Sequence, residues 1–393
     1  MTGRPGGPYH IARVIARTNV GGPSLQVTAL MRHLDPVMYP QTLYRGSVEV
    51  GEADYLELRA PDVIATDVPG LGRSVHMFDD AKSLWFLIRR FRRERPVIVH
   101  THTAKAGVVG RLAAIVSRVP IRVHTFHGHV LHGYFSPRMT KMIVLIERAL
   151  AHFTTHTVAV GQQVLDDLIA AKIAKPTSSS VVAPGVRRPE KRDRAAARRT
   201  LAPHATDESV VVVFVGRLTA IKRGARFVDL ARQLLGPCPH ALFVVVGDGP
   251  ERADLESAAA GLDNVVFAGW QADMAGVYAS ADLIVLTSDN EGMPVALIEG
   301  AMQGVPAVAT DVGAVRQVVA DNETGILVAA GDSEQLAEAV EKLVTNETLR
   351  TEMGSAAAER GARLFGEGRL VDDYTKLYDR LTNELRDRRR YPA

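Results

Sequence analysis

The sequence predicts an α/β protein of two doubly wound, Rossmann-like domains facing one another across a cleft, with a C-terminal helix packing back across them. Three observations point there. Short Val/Ile-rich runs alternate with longer helical stretches along the whole chain, the pattern of parallel sheets covered by helices on both faces. The two halves open alike: HIARVIARTNVGG from residue 10 and VVVVFVGRLTAIKRG from residue 210 each read as a strand, a short glycine-bearing loop and a helix. At 393 residues the chain is too long for one simple core and long enough for two domains of about 150 residues.

Taken in order, the first half shows strand-like runs at 10–16, 97–103 and 122–127, with helical patterns at 24–33, 106–117 and 139–151. The stretch 184–208, charged and punctuated by proline, reads as connecting chain. Strands follow at 210–216, 241–249, 264–270, 282–288 and 305–311, with helices at 223–235 and 334–344. Residues 372–390 form a polar amphipathic helical pattern. The expected division is therefore a first domain 1–187, a linker 188–208, a second domain 209–370, and a C-terminal helix and tail 371–393. In such sheets ligands bind beyond the C-terminal ends of the strands.

Composition is ordinary for a soluble globular protein, 46% hydrophobic and 23% charged. The one cysteine, Cys238, excludes an intramolecular disulfide framework and a cysteine-based zinc cluster, and is consistent with a reducing compartment. The N-terminus lacks a signal peptide's apolar core, and no run approaches the roughly 20 apolar residues of a membrane span. A cytoplasmic protein is expected. Net charge is only +3, but arginines cluster in WFLIRRFRRERP, residues 85–96. There Leu84, Leu87, Ile88 and Phe91 form a helical stripe with Arg89, Arg90, Arg92, Arg93 and Arg95 around it. Two readings stay open: a packed helix with a solvated basic face, or peripheral docking on anionic headgroups at the inner face of the cytoplasmic membrane. No nucleic-acid partner is expected, because no helix-turn-helix, zinc or RNA-recognition signature accompanies the charge.

Several strand ends hold candidate chemistry. Gly21 and Gly22 precede a helix start and suit an anion approaching backbone N–H groups, or simply a tight turn. Neither a G-x-G-x-x-G dinucleotide fingerprint nor a G-x-x-x-x-G-K-[ST] phosphate loop occurs. Arg217 and Lys222 follow the strand ending at Gly216 and could flank a diphosphate, one as a fork and one as a point charge; the alternative is a solvated surface pair. HTFHGHVLHGYF, residues 124–135, has four histidines but no acid and no H-E-x-x-H, so no metal is expected. His127 there suits a hydrogen bond to substrate or a loop-holding role. In EGMPVALIEGAMQGVPAVATD, residues 291–311, Pro294 suits a helix's first turn and Gly304 its stop. Glu291 then lies on the entering loop and Glu299 more than a turn inside. A buried carboxylate needs partners, and a core salt bridge plus a solvent-facing loop acid is the plain alternative.

These pieces, with NVGG, HTHTAKAGVVGRLAA, HTFHGHV, VGRLTAIKR, VVVGDGP and EGMPVALIEGAMQGVPAVATDVGAVRQVV, resemble the retaining glycosyltransferases of family four, which have the two-Rossmann GT-B fold. The resemblance runs from residue 21 to 311, and its details are similar to the branch acting in bacterial surface-polysaccharide assembly. Gly300 stands where Ala is usual and Phe126 where Pro is common. The resemblance implies that the first domain binds the acceptor and the second a nucleotide-sugar, UDP-linked in preference to GDP-linked. Glu299 would accept hydrogen bonds from the ribose hydroxyls. Glu291, with the backbone of Gly292, Met293, Pro294 and Val295, would reach the donor sugar or its phosphate. Gly21, Gly22 and Gly216 would line the donor, Gly269 and Trp270 would contact the base, and His127 would face the donor sugar. Arg217 and Lys222 would stabilise the departing diphosphate. With no D-x-D present, neither metal nor cofactor is implied. The acceptor would be a saccharide or a polyprenyl-diphosphate-linked glycan. Two rivals remain: a nucleotide-sugar epimerase of the same fold, and a non-catalytic binder, which would be expected to lose Lys222 or Glu291. A dinucleotide oxidoreductase would need the fingerprint that neither half contains.

Overall fold

β-Branched side chains, stiff at χ1 and at ease on a pleated surface, build two parallel sheets in the computed structural model, which describes residues 7–49, 52–72, 76–128 and 137–390. Among these residues the first sheet has seven strands: β1 (Ile11–Ile15), β2 (Gln41–Arg45), β3 (Ala65–Asp67), β4 (Ile98–His102), β5 (Ile121–Phe126), β6 (His156–Ala159) and β7 (Ser179–Val181), ordered β3-β2-β1-β4-β5-β6-β7. Its helices are α1 (Gly22–His33), α2 (Tyr55–Arg59), α3 (Met77–Glu94), α4 (Ala104–Val116), α5 (Pro137–Ala151) and α6 (Gln162–Ala170).

The second sheet has six strands: β8 (Val210–Val215), β9 (Ala241–Val246), β10 (Val265–Gly269), β11 (Leu283–Leu286), β12 (Ala307–Thr310) and β13 (Gly325–Val328), ordered β10-β9-β8-β11-β12-β13. Both sheets reverse direction after three strands, as doubly wound sheets do. The helices are α7 (Arg194–Leu201), α8 (Gly224–Gln233), α9 (Arg252–Ala258), α10 (Met274–Ser280), α11 (Val295–Met302), α12 (Val315–Val318), α13 (Ser333–Thr345) and α14 (Glu347–Phe365). Phe214, Phe227, Phe243, Val285, Val340 and Leu343 sit in one buried cluster with Cys238.

The chain divides into two compact units. One runs to Gly185 and resumes at Glu367; the other is Val186–Gly366. The last helix, α15 (Glu367–Arg390), therefore belongs to the first unit. Its Leu370, Tyr374, Leu377, Tyr378 and Leu381 are buried with Ile11, Ile98, Ile121 and Val158. Beneath it lies a polar seam. Arg13 Nη1 is 3.0 Å from His100 Nδ1, which lies 2.6 Å from the Tyr378 hydroxyl, and His100 Nε2 is 2.7 Å from Thr125 Oγ1.

One segment departs from its sequence pattern, and α3 adds detail to its own. Within 188–208 the backbone forms α7, capped by Asp193, which accepts from Ala196 N at 2.7 Å. Arg194 and Arg198 both pair with Asp282 at the entry to β11, so the charges of this stretch serve tertiary contacts. In α3 the stripe of Leu84, Leu87, Ile88 and Phe91 faces the core. The outer face instead presents Phe78, 89% exposed, and Trp85, 61% exposed, with Lys82, Arg89 and Arg92 at helical spacing.

Candidate active site

In the second unit the strand order reverses between β8 and β11, and the loops leaving those two strands hold Lys222 and Glu291. Lys222 ends a 3₁₀ turn, Ala220–Lys222; Arg223 follows in the left-handed region at φ 53°, and α8 begins at Gly224. The turn is braced from the end of β11. Thr287 Oγ1 donates to the Lys222 and Arg223 carbonyls at 3.0 Å each, and Asp289 N donates to the Ile221 carbonyl at 2.9 Å. Asp289 accepts Arg223 Nε at 2.5 Å and pairs with Arg226 Nη1 at 2.6 Å. Burial pushes the Asp289 carboxyl up, but the two guanidinium groups outweigh it and its pKa is lowered.

Against this loop, Lys222 Nζ lies 2.5 Å from Glu291 Oε1, to which Ser288 Oγ also donates at 2.6 Å. Glu291 is only 7% exposed. The loop acid is thus the buried, ion-paired one. Glu299, inside α11, is partly exposed and accepts from the Tyr278 hydroxyl at 2.8 Å. The backbone of Glu291 is backed by Gly313 at φ 54°, where a Cβ would come within 1.8 Å of the Glu291 carbonyl oxygen, so only glycine fits. Pro294 is the N-cap of α11 rather than a first-turn residue, and the helix begins at Val295. Its first amide hydrogens have no intrahelical acceptor and favour a nearby anion. Met293 and Pro294 are buried, while Gly292 and Val295 are partly exposed.

Around this pair, the Lys222 stem folds over Gly216, its Cδ and Cε 3.9 Å from where a Cβ would stand. Arg217 is exposed on the same loop. Gly269 ends β10 at φ 67°, its carbonyl accepting from Gly247 N at 2.8 Å, and Trp270 beside it is 43% exposed. Tyr278 escapes a reading of the sequence. It lies 21 positions before Glu299 on a different helix, whereas Ser288 opens the S-D-N that precedes Glu291 and stands only three positions from it.

In the first unit, Gly21 is the extended N-cap of α1, and a Cβ there would meet only Pro23 Cδ at 3.8 Å. The fold leaves room at that position. Ser24 Oγ holds the turn by donating to the Asn19 carbonyl at 2.7 Å. His127 follows β5 and its Nε2 lies 3.0 Å from His102 Nδ1 at the end of β4. Burial lowers His127 to a pKa of about 3 and holds His100, His102 and His124 well below the usual imidazole range. His127 still keeps some surface accessible. The remaining histidines of the 124–135 run, His129 and His132, and the aromatic pair Tyr134 and Phe135 lie outside the described residues.

Known families match both units. The family model described as Glycosyltransferase Family 4 matches residues 20–188, and that described as Glycosyl transferases group 1 matches residues 209–346. The chain belongs to the family-four glycosyltransferases. This family-four glycosyltransferase is 26% identical over 340 residues, 83% of its length and 85% of the relative's, to a protein of Escherichia coli named UDP-Gal:alpha-D-GlcNAc-diphosphoundecaprenol alpha-1,3-galactosyltransferase. It is 24% identical to the capsular polysaccharide biosynthesis glycosyltransferase CapM of Staphylococcus aureus, over 90% of this chain and 97% of that one. Among solved structures, HepE of Anabaena in complex with UDP and glucose superposes with a TM-score of 0.80 at 19% identity, covering 94% of this chain and 99% of the other. That likeness establishes the GT-B fold of this glycosyltransferase.

Proposed function

We propose that this glycosyltransferase moves a hexosyl group, with retention, from a UDP-sugar to a saccharide or polyprenyl-diphosphate-linked acceptor in cell-surface polysaccharide synthesis, without a metal. The observation that carries the proposal is Lys222 held on Glu291 at the switch point of the second sheet. A positive charge stands there on a braced loop, beside the exposed Arg217, at the place where a doubly wound sheet receives phosphates. Preorganised cations of this kind stabilise a departing nucleoside diphosphate as a bound metal would elsewhere. The Glu299 carboxylate, steadied by Tyr278, suits a ribose diol. Gly216, Gly269, Trp270 and the start of α11 complete the donor's surroundings in the second unit; in the first unit, His127, Gly21 and Gly22 are the residues proposed to meet substrate. No side chain is assigned as a nucleophile: the acceptor attacks from the face the diphosphate leaves, and a phosphate oxygen takes the acceptor's proton.

The names of the relatives support the donor and acceptor classes, since one is named for UDP-galactose and a diphosphoundecaprenol glycan and another for capsular polysaccharide. Collecting a polyprenyl acceptor requires a bilayer surface, and the outer face of α3 offers aromatic and basic side chains suited to one. Among the described residues no helix is long and apolar enough to cross a membrane. The test is a panel of nucleotide-sugars ranked by thermal shift, followed by turnover with a diphosphate-lipid-linked glycan in the presence of EDTA. Stabilisation by UDP-sugars and transfer that survives chelation are expected. Turnover of donor without any acceptor product would instead favour an epimerase, and loss of activity restored by one divalent ion would overturn the leaving-group assignment.

A further inference from the structure

β4 and β5 pair in parallel with His102 opposite Thr125. Side chains alternate across a sheet, so His127, two residues on from Thr125, falls on the same face as His102, as the diagonal neighbour. There His102 Nδ1 and His127 Nε2 lie 3.0 Å apart. Two bare nitrogens cannot sit so close without repulsion, and two protonated ones cannot either. One proton therefore lies between them, and which ring owns it decides what His127 offers on its other side.

The second nitrogen of His102 decides the matter. His102 is fully buried, and its Nε2 has no hydrogen-bond partner among the described residues. Its ring is held in place by stacking on His100, with centroids 4.1 Å apart. Were the proton on Nε2, a buried N–H would be left without an acceptor, the rarest kind of unsatisfied group in native proteins. With the proton on Nδ1, His102 donates to His127, and only a lone pair is left unmet.

We infer that His102 is a positioning residue: its Nδ1–H donates to His127 Nε2 and so locks His127 in the Nδ1–H tautomer, which is the minor one for free histidine in water. His127 then presents a fixed N–H donor to a ligand hydroxyl beyond the end of β5 and cannot accept a proton there. The low pKa of both rings agrees with a neutral pair. The use to which the donor is put rests on the assignment of His127 to the donor sugar given above; the tautomer itself does not.

The experiment reads the two separately. In protein labelled with ¹⁵N-histidine, long-range ¹H–¹⁵N correlation distinguishes the tautomers, and the His127 signals are identified by their loss in His127→Asn. Wild type should show His127 protonated at Nδ1, and His102→Leu should return it to Nε2–H. A wild-type His127 protonated at Nε2 overturns the proposal whatever the kinetics show, and it does so even should His102→Leu fail to fold. In turnover of the nucleotide-sugar selected by the panel, His102→Leu should lower kcat about tenfold with KM nearly unchanged, as loss of an orienting partner does. His102→Asn, whose amide N–H replaces Nδ1–H, should recover to within about threefold of wild type. The double variant with His127→Ala should be no slower than His127→Ala alone, and additive losses would overturn the coupling. If His127→Ala alone leaves turnover unchanged while the tautomer is as described, the role of His127 toward the donor fails and the tautomer assignment stands.

Discussion

Lys222 and Glu291, 69 positions apart, meet at 2.5 Å across the loops that leave β8 and β11. Arg217 lies on the same loop as Lys222 and is exposed. Each changed to Ala should lower turnover roughly 10²–10³-fold, the scale of one charge-stabilising donor. Lys222→Ala should also destabilise, by about 1–3 kcal/mol, because it strips a partner from a buried carboxylate. Steady-state kinetics beside urea denaturation checks both, and near-normal turnover of a folded double variant would falsify the diphosphate role.

Tyr278 steadies Glu299 from α10 at 2.8 Å. Removing its hydroxyl in Tyr278→Phe should weaken UDP binding about three- to tenfold, the worth of one such hydrogen bond, with kcat hardly changed. Calorimetric titration gives the number. An unaltered Kd would separate Glu299 from the ribose.

Acid should unfold the first unit before the second. Its buried His127 and His156 have pKa values lowered to about 3 and about 4, and His100, His102 and His124 are lowered as well, all chiefly by desolvation. The unfolded chain binds protons on these rings near pH 6.5 while the folded chain does not. Their contribution is therefore fully present above that pH and is lost as pH falls toward 3–4, at about 1.4 kcal/mol per pH unit for each ring. The two histidines of the second unit, His204 and His240, are exposed. Hydrogen exchange at pH 5 should show amides of β4 and β5 losing protection before those of β8 and β9. Simultaneous loss would contradict the assignment.

The outer face of α3 should bind anionic vesicles reversibly, with about 1 kcal/mol from each basic residue near the headgroups and weakening as salt rises. Co-sedimentation is compared for wild type, for Arg89, Arg92 and Arg93 changed together to Ser, and for Phe78 and Trp85 changed to Ser. Both variants should release the vesicles. A wild type that ignores anionic vesicles at low salt would leave α3 a packed helix with a solvated rim.

What could be read beforehand followed burial. VVVVFV and ALFVVV are sealed on both faces, so their apolar runs announced strands without any structure. QTLYR, ATD and SSV are short and partly exposed, and no continuous apolar run marked β2, β3 or β7. The helix α14 went unnoticed because Gly354, Ala357 and Gly361 stand between Met353 and Phe365 on its buried face: a Cβ on Gly354 would stand 2.2 Å from the Gly304 carbonyl oxygen, and one on Gly361 3.2 Å from Met302 Cγ. Hydropathy is blind to a face that works by absence of side chain. Glu291 and Lys222 stood out by their motifs, whereas Tyr278 and His102 meet partners 21 and 25 positions away that folding alone brings near.

The return of α15 to the first unit sets the order in which the molecule can be finished during synthesis. Ile11, Ile98 and Ile121 share their core with Leu370 and Leu377, and His100 reaches the Tyr378 hydroxyl. A ribosome adding about 5–20 residues per second needs roughly ten to forty seconds to travel from the end of the first segment to that helix. Through that interval the nascent first sheet waits with one side uncovered, while Val186–Gly366, unbroken in sequence, can complete its own core. The unit made first is completed last.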